Sequence, residues 1–190
     1  ILAINENGSS FYNYNRGVIY QINESDIEDY IESAKKINKV DKIKLVSIQH
    51  TFGIFGGGNN GEFLISFLEH LDKPCVMTFH TVLPNPDEQR KKMVQAIAKR
   101  SSAIVVMAES AIEILNKVYG VPHEKLYLIH HGVPNIPFKK DVDSIKKSLG
   151  LEGKFVLSTF GLINRGKGIE YAIKALPNII KKYPNLVYLV

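Results

Sequence analysis

Along the chain, short runs of apolar and β-branched residues alternate with longer stretches in which apolar residues recur every three or four positions. The runs at 2–4, 18–22, 43–48, 75–79, 103–107, 126–129, 155–159 and 186–190 read as strands. Helical spacing fills most of the gaps between them. Ile27, Tyr30, Ile31, Ala34 and Ile37 form one stripe, with Ser25 and Glu28 in the positions of a capping box, and Phe63, Leu64, Phe67, Leu68 and Leu71 form a second. A third helix is expected after Pro86, turning Met93, Ile97 and Ala98 inward; a fourth is expected from Ser110, capped with Glu113, to a stop at Gly120. A short helix at 142–149 and a last one from Gly168 to about residue 183 complete the pattern, with Pro177 expected to kink the last and Pro184 to end it.

Strand and helix in regular alternation predict crossover units on a parallel sheet, an α/β fold. The chain turns irregular around Pro134, Asn135 and Pro137, which places a domain boundary there: residues 1–137 as one Rossmann-like domain and 138–190 as the opening of a second. The absence of an initiator Met, and a last run at 186–190 that reads as a buried strand, suggest a piece of a longer protein.

Composition narrows the class. Of the 190 residues 45% are hydrophobic and 23% charged, which fits a globular chain and excludes a disordered or fibrous one. The longest apolar runs fall far short of the roughly 20 residues of a spanning helix, and no signal-peptide pattern opens the sequence, so a cytoplasmic location is expected. Cys75, the single cysteine, heads an apolar run and reads as a buried thiol, not as a disulfide partner or nucleophile. The formal charge of +5 comes from cations spread over several helices, which does not suggest a nucleic-acid partner.

Four segments carry candidate chemistry. Gly56-Gly57-Gly58-Asn59-Asn60-Gly61 satisfies G-x-G-x-x-G, but Gln49 to Phe55 separate it from its strand and no acidic residue follows at dinucleotide spacing. It reads either as a loop or as a set of backbone amides facing an anionic or hydroxyl-rich ligand. Thr78-Phe79-His80-Thr81 ends an apolar strand in a histidine, His50 closes the preceding one, and His130 and His131 follow a third; ligands of open parallel sheets bind at such carboxyl ends. These histidines lack the spacing and partners of a metal site. The loop from Phe160 to Gly168 combines Gly161, Arg165 and Lys167 ahead of a helix, a combination suited to a diphosphate and equally to a charged surface turn. Asp141-Val142-Asp143 matches a metal-binding D-x-D, yet one of its aspartates fits better as a helix cap.

Taken in order, Gln49-His50-Thr51-Phe52-Gly53-Ile54-Phe55-Gly56-Gly57, Thr78-Phe79-His80-Thr81, Tyr119-Gly120-Val121-Pro122, His131-Gly132-Val133-Pro134 and Gly161 with Lys167-Gly168 resemble the retaining family 4 glycosyltransferases of GT-B fold, in the branch with a Q-H-E-x-G-I-F-G-G stretch. The resemblance implies transfer of a sugar from a nucleotide-sugar donor to a hydroxyl acceptor with retention, with no cofactor and no metal. It implies His80 beside the donor sugar, Lys167, with Gly161, at the donor diphosphate, and the loop of His50, Thr51, Gly53, Phe55, Gly56 and Gly57 on the acceptor side. Two departures stand out: Thr51 replaces the branch's Glu, and Leu162 replaces a second diphosphate-binding cation that Arg165 is positioned to supply. The first strand with its glycine loop and the paired-glutamate segment are missing, so this fragment alone is expected to be inactive. Peripheral membrane contact of the full-length protein stays open, as does the rival reading of a non-catalytic α/β module that binds a phosphorylated sugar or nucleotide.

Overall fold

The computed structural model describes residues 1–6, 12–14, 17–137 and 141–190. The chain divides into two compact units, Ile1–Val133 and Pro134–Val190. The first is built on strands β1 (Leu2–Asn5), β2 (Tyr20–Asn23), β3 (Val46–His50), β4 (Cys75–Phe79), β5 (Ala103–Val106) and β6 (Leu126–Leu128), with helices α1 (Ile27–Asn38), α2 (Phe63–Glu69), α3 (Glu88–Arg100) and α4 (Glu109–Lys117) between them. All pairings are parallel: β1 with β2, and separately β3-β4-β5-β6 in sequence order.

The core follows from this layering. β4 alternates strictly, with Cys75, Met77 and Phe79 buried, and its neighbour β5 buries Ile104 and Val106. Helix α3 lies on β4 and turns in Met93, Val94, Ile97 and Ala98, while α4 packs on β5 and β6 through Leu115. Burying such side chains contributes about 1.5–3 kcal/mol each, the main force holding sheet and helices together. A groove of about 720 Å³ opens between the β1–β2 pair and β3, lined by Leu2, Ile4, Ile22, Val46, Ile48 and Phe55 among others. Its walls are chiefly apolar, unlike the polar strand ends described below.

Local details shift several expected boundaries. Asp26, not Ser25, caps α1 by accepting from Glu28 N–H at 3.0 Å, and the Ser25 N–H that a capping box would offer to Glu28 donates instead to Asn23 Oδ1. Helix α4 begins at Glu109 without a side-chain cap, so Ser110 lies inside its first turn, and Glu113 pairs with Lys117. Gly120 does end that segment, at φ +70°, with its N–H bonded to Asn116 O.

The second unit comprises α5 (Val142–Ser148), β7 (Phe155–Ser158), α6 (Ile169–Ile180) and β8 (Leu186–Leu189), with β7 and β8 parallel. Asp141 caps α5 by accepting from Ser144 N–H, so the D-x-D segment does helix-capping work. Pro177 sits within α6 without breaking it, although it removes one donor from the helix ladder. None of the described residues of this unit is buried. No helix among the described residues is long and apolar enough to cross a membrane.

Because Ile104 is 0% exposed at the centre of the larger sheet, Ile104→Ala should cost about 2–5 kcal/mol, read as a lower midpoint in urea unfolding with an unchanged slope.

Candidate functional site

Parallel pairing of β3 and β4 sets Gln49 opposite Thr78 and His50 opposite Phe79. Alternation then puts Gln49, Thr78 and the following His80 on one face, and Ile48, His50, Met77 and Phe79 on the core side. The His80 N–H donates to the His50 carbonyl at 2.8 Å, which extends the ladder past the end of β4. The His80 ring places Nε2 2.7 Å from Gln49 Oε1, and Gln49 Nε2 lies 3.5 Å from Thr78 Oγ1. One residue further along, the hydroxyls of Thr51 and Thr81 share a hydrogen bond of 3.0 Å.

A second histidine joins this group from the end of β6. The His131 ring centroid is 6.1 Å from that of His80, while His130 Nδ1 donates instead to the Met107 carbonyl at 3.2 Å. Gln49, His80 and His131 are exposed, and Thr51 and Thr81 are half-buried. The strand ends therefore carry imidazoles, an amide and hydroxyls, groups that both donate to and accept from a hydroxyl-rich ligand.

His50 is placed differently from the acceptor-side position expected of it. The strand runs two residues past Ile48, so His50 is its last inward residue and is 0% exposed. Its ring stacks on Phe55 at 5.9 Å and meets the edges of Phe52 and Phe79 at 5.3 and 5.0 Å. Neither ring nitrogen has a hydrogen-bond partner among the described residues. Burial, with a smaller contribution from the charge of His80, lowers its pKa to about 4, so the ring is neutral at physiological pH.

The loop that follows is anchored. Phe55 and Gly56 are buried; Gly56 N–H donates to the buried Tyr30 hydroxyl at 3.0 Å, and Gly56 O accepts from Phe63 N–H. A Cβ at Gly56 would fall 1.7 Å from the Glu24 carbonyl oxygen, so only glycine fits there. Gly53 and Gly57 are exposed, at φ +83° and +90°. Of the six residues expected on the acceptor side, Gly53 and Gly57 face solvent, Thr51 does so in part, and His50, Phe55 and Gly56 support them from below.

Within the second unit, the turn between β7 and α6 gathers the cationic candidates. Gly161 has φ +127°, and a Cβ built on it would lie 3.3 Å from Lys167 Cε and 3.4 Å from Nζ, so the ammonium lies over this glycine. Arg165 and Lys167 share a 3₁₀ turn, and Gly168, in the left-handed region, opens α6. Leu162 is 85% exposed.

The Glycosyltransferase Family 4 model matches residues 27–135, more than half of the chain. The chain belongs to glycosyltransferase family 4. The match takes in Gln49, the anchored glycine loop, His80 and His131. No curated protein matches the chain. Among solved structures it is similar to Anabaena HepE in complex with UDP and glucose, at 14% identity and a TM-score of 0.66, over 89% of this chain and 46% of that one. It is also similar to Anabaena HepE in complex with UDP, at 11% identity and a TM-score of 0.55, over 90% of this chain and 55% of that one. The chain thus spans about half the length of the solved chains it matches. At these identities the likeness concerns the fold, and it bears out the α/β, GT-B-type architecture expected from the sequence.

Within the strand-end group of this family 4 chain, Gln49 has no role of its own in the sequence motifs, and the fold decides that His131, not its neighbour His130, approaches His80. The signal for Gln49 was present in the alternation, since it falls on the same face as Thr78 and His80 once residue 46 is aligned with residue 75.

The neutral, buried state of His50 makes stability depend on pH. The unfolded chain binds a proton near pH 6.5, whereas the folded chain resists it down to about pH 4. Stability from this residue is therefore complete above about pH 6.5 and falls by roughly 3 kcal/mol as the pH drops to 4. In His50→Phe that part of the acid dependence should disappear, as measured by urea unfolding at a series of pH values. Gly56→Ala should lower stability by at least about 1–3 kcal/mol through its clash with Glu24, whereas Gly132→Ala, with open space around it, should stay within about 0.5 kcal/mol of the parent.

Proposed function

We propose that the protein transfers a sugar from a nucleotide-sugar donor to a hydroxyl acceptor in the cytoplasm, with retention at the anomeric carbon and without a required metal. The observation that carries this reading is the family match over residues 27–135, which encloses the strand-end group of Gln49, His80 and His131. In this proposal residues 1–137 serve the acceptor side and 138–190 open the nucleotide-sugar domain.

The roles follow from the chemistry of each group. His80 hydrogen-bonds a hydroxyl of the donor sugar. Lys167, lying over Gly161, meets the donor diphosphate, where its ammonium offsets the negative charge that grows on the leaving nucleotide. Arg165, in the same turn, supplies the second cation that Leu162 cannot. Thr51, Gly53 and Gly57 line the acceptor side, held by the buried His50, Phe55 and Gly56. Because HepE was solved with UDP and glucose, uridine diphosphate sugars are the first donors to try. Peripheral contact of the full-length protein with a membrane is compatible with this reading.

The test is a panel of nucleotide-sugars offered to the whole protein, with the anomeric configuration of the product read by NMR. One donor should be consumed with retention; Lys167→Ala should weaken nucleoside diphosphate binding, and His80→Ala should lower kcat/KM, each by about 10- to 100-fold, as expected for a lost charged or buried hydrogen bond. Parent rates in both variants would overturn the site assignment. Tight binding of a sugar phosphate with no transfer from any donor would replace the enzyme by a binding module.

A further inference from the structure

His80 is held to β3 at two points by consecutive residues. Its backbone N–H bonds to the His50 carbonyl at 2.8 Å, and its ring Nε2 lies 2.7 Å from Gln49 Oε1. An amide oxygen only accepts, so the short contact requires that Nε2 carry the hydrogen. In a neutral imidazole the other nitrogen, Nδ1, is then the acceptor. Gln49 Oε1 is the amide atom that faces the histidine, and Nε2 lies 3.5 Å from Thr78 Oγ1.

We propose that Gln49 is a positioning residue for His80: it holds the imidazole as the Nε2–H tautomer, so that Nδ1 presents its lone pair to a hydroxyl of the donor sugar. The identity of that ligand rests on the function proposed above; the way in which the ring is held does not. Side-chain length matters here. Asn would fall one methylene short, Met would fill the space without an acceptor, and Glu would keep the acceptor but add a charge.

Glu at this position separates tautomer control from mere support of the ring. A carboxylate 2.7 Å from Nε2 favours the imidazolium, in which both nitrogens donate and the Nδ1 lone pair is lost. Among the described residues, His50, buried and neutral on β3, and His131, at the end of β6, are titratable groups that lie near the ring. Neither is a carboxylate, so an added negative charge should dominate the response.

The experiment uses the ¹⁵N-labelled chain and long-range proton–nitrogen spectra of the histidine rings across a pH titration. In the parent at pH 8, His80 should be protonated at Nε2 and bare at Nδ1, with the Nε2–H form favoured about tenfold, as one well-formed hydrogen bond allows. Gln49→Met and Gln49→Asn should relax that ratio toward a mixture, and Gln49→Glu should raise the His80 pKa by about one unit. In transfer assays of the whole protein, Gln49→Met should lower kcat/KM about tenfold without lowering Tm, and Gln49→Glu should move the acid limb of the pH profile upward by about one unit. An Nδ1–H ring in the parent, a ratio unchanged by Gln49→Met, or a pKa unmoved by Gln49→Glu would each overturn the proposal. If the ring behaves as expected but His80→Ala transfers sugar at the parent rate, the positioning by Gln49 stands and the role given to His80 falls.

Discussion

The parallel ladder between β3 and β4 is the constraint on which the site depends. Its register, with Val46 opposite Cys75, decides by simple alternation which residues enter the core and which emerge at the carboxyl ends. A shift of one residue would carry His50 out to solvent and Gln49 into the aromatic cluster. Hydrophobic burial fixes the register: Ile48, Met77 and Phe79 must face inward together, and His50 is drawn in with them. The strand-end chemistry is thus set by the same apolar contacts that stabilise the sheet.

The burial of His50 shows how closely support and site are joined. Its imidazole lies among three aromatic rings, one of them Phe55 of the glycine loop, while its carbonyl receives the His80 N–H. A single residue thereby ties the loop to the histidine at the neighbouring strand end. Gly56, wedged against the Glu24 carbonyl and the Tyr30 hydroxyl, fixes the loop from its other side. The chain carries its cationic candidates elsewhere, on the turn that opens α6 in the second unit.

Much of the fold was legible in the residues because the signals were local and periodic. The stripe of Tyr30, Ala34 and Ile37 gave α1, and the alternation of Cys75, Met77 and Phe79 gave β4. What escaped depends on contacts distant in sequence. Whether a strand stops at Ile48 or at His50 cannot be read from a histidine, which suits a buried strand end and an exposed loop equally well. Ser25 and Asp26 both suit a helix cap by residue type, and only the observed start of α1 at Ile27 separates them, with Asp26 accepting from Glu28 N–H. The Gln49–His80 pair spans 31 positions and exists only through the register.

Cys75, the chain's single thiol, heads β4 at 2% exposure, and burial raises its pKa to about 11. Both properties withhold it from electrophiles while the sheet is closed, because the thiolate is the reacting form. Alkylation of this one sulfur therefore reports how often the central strand opens, without an introduced label. The natural sequence supplies a chemical clock for breathing of the same strand that delivers His80.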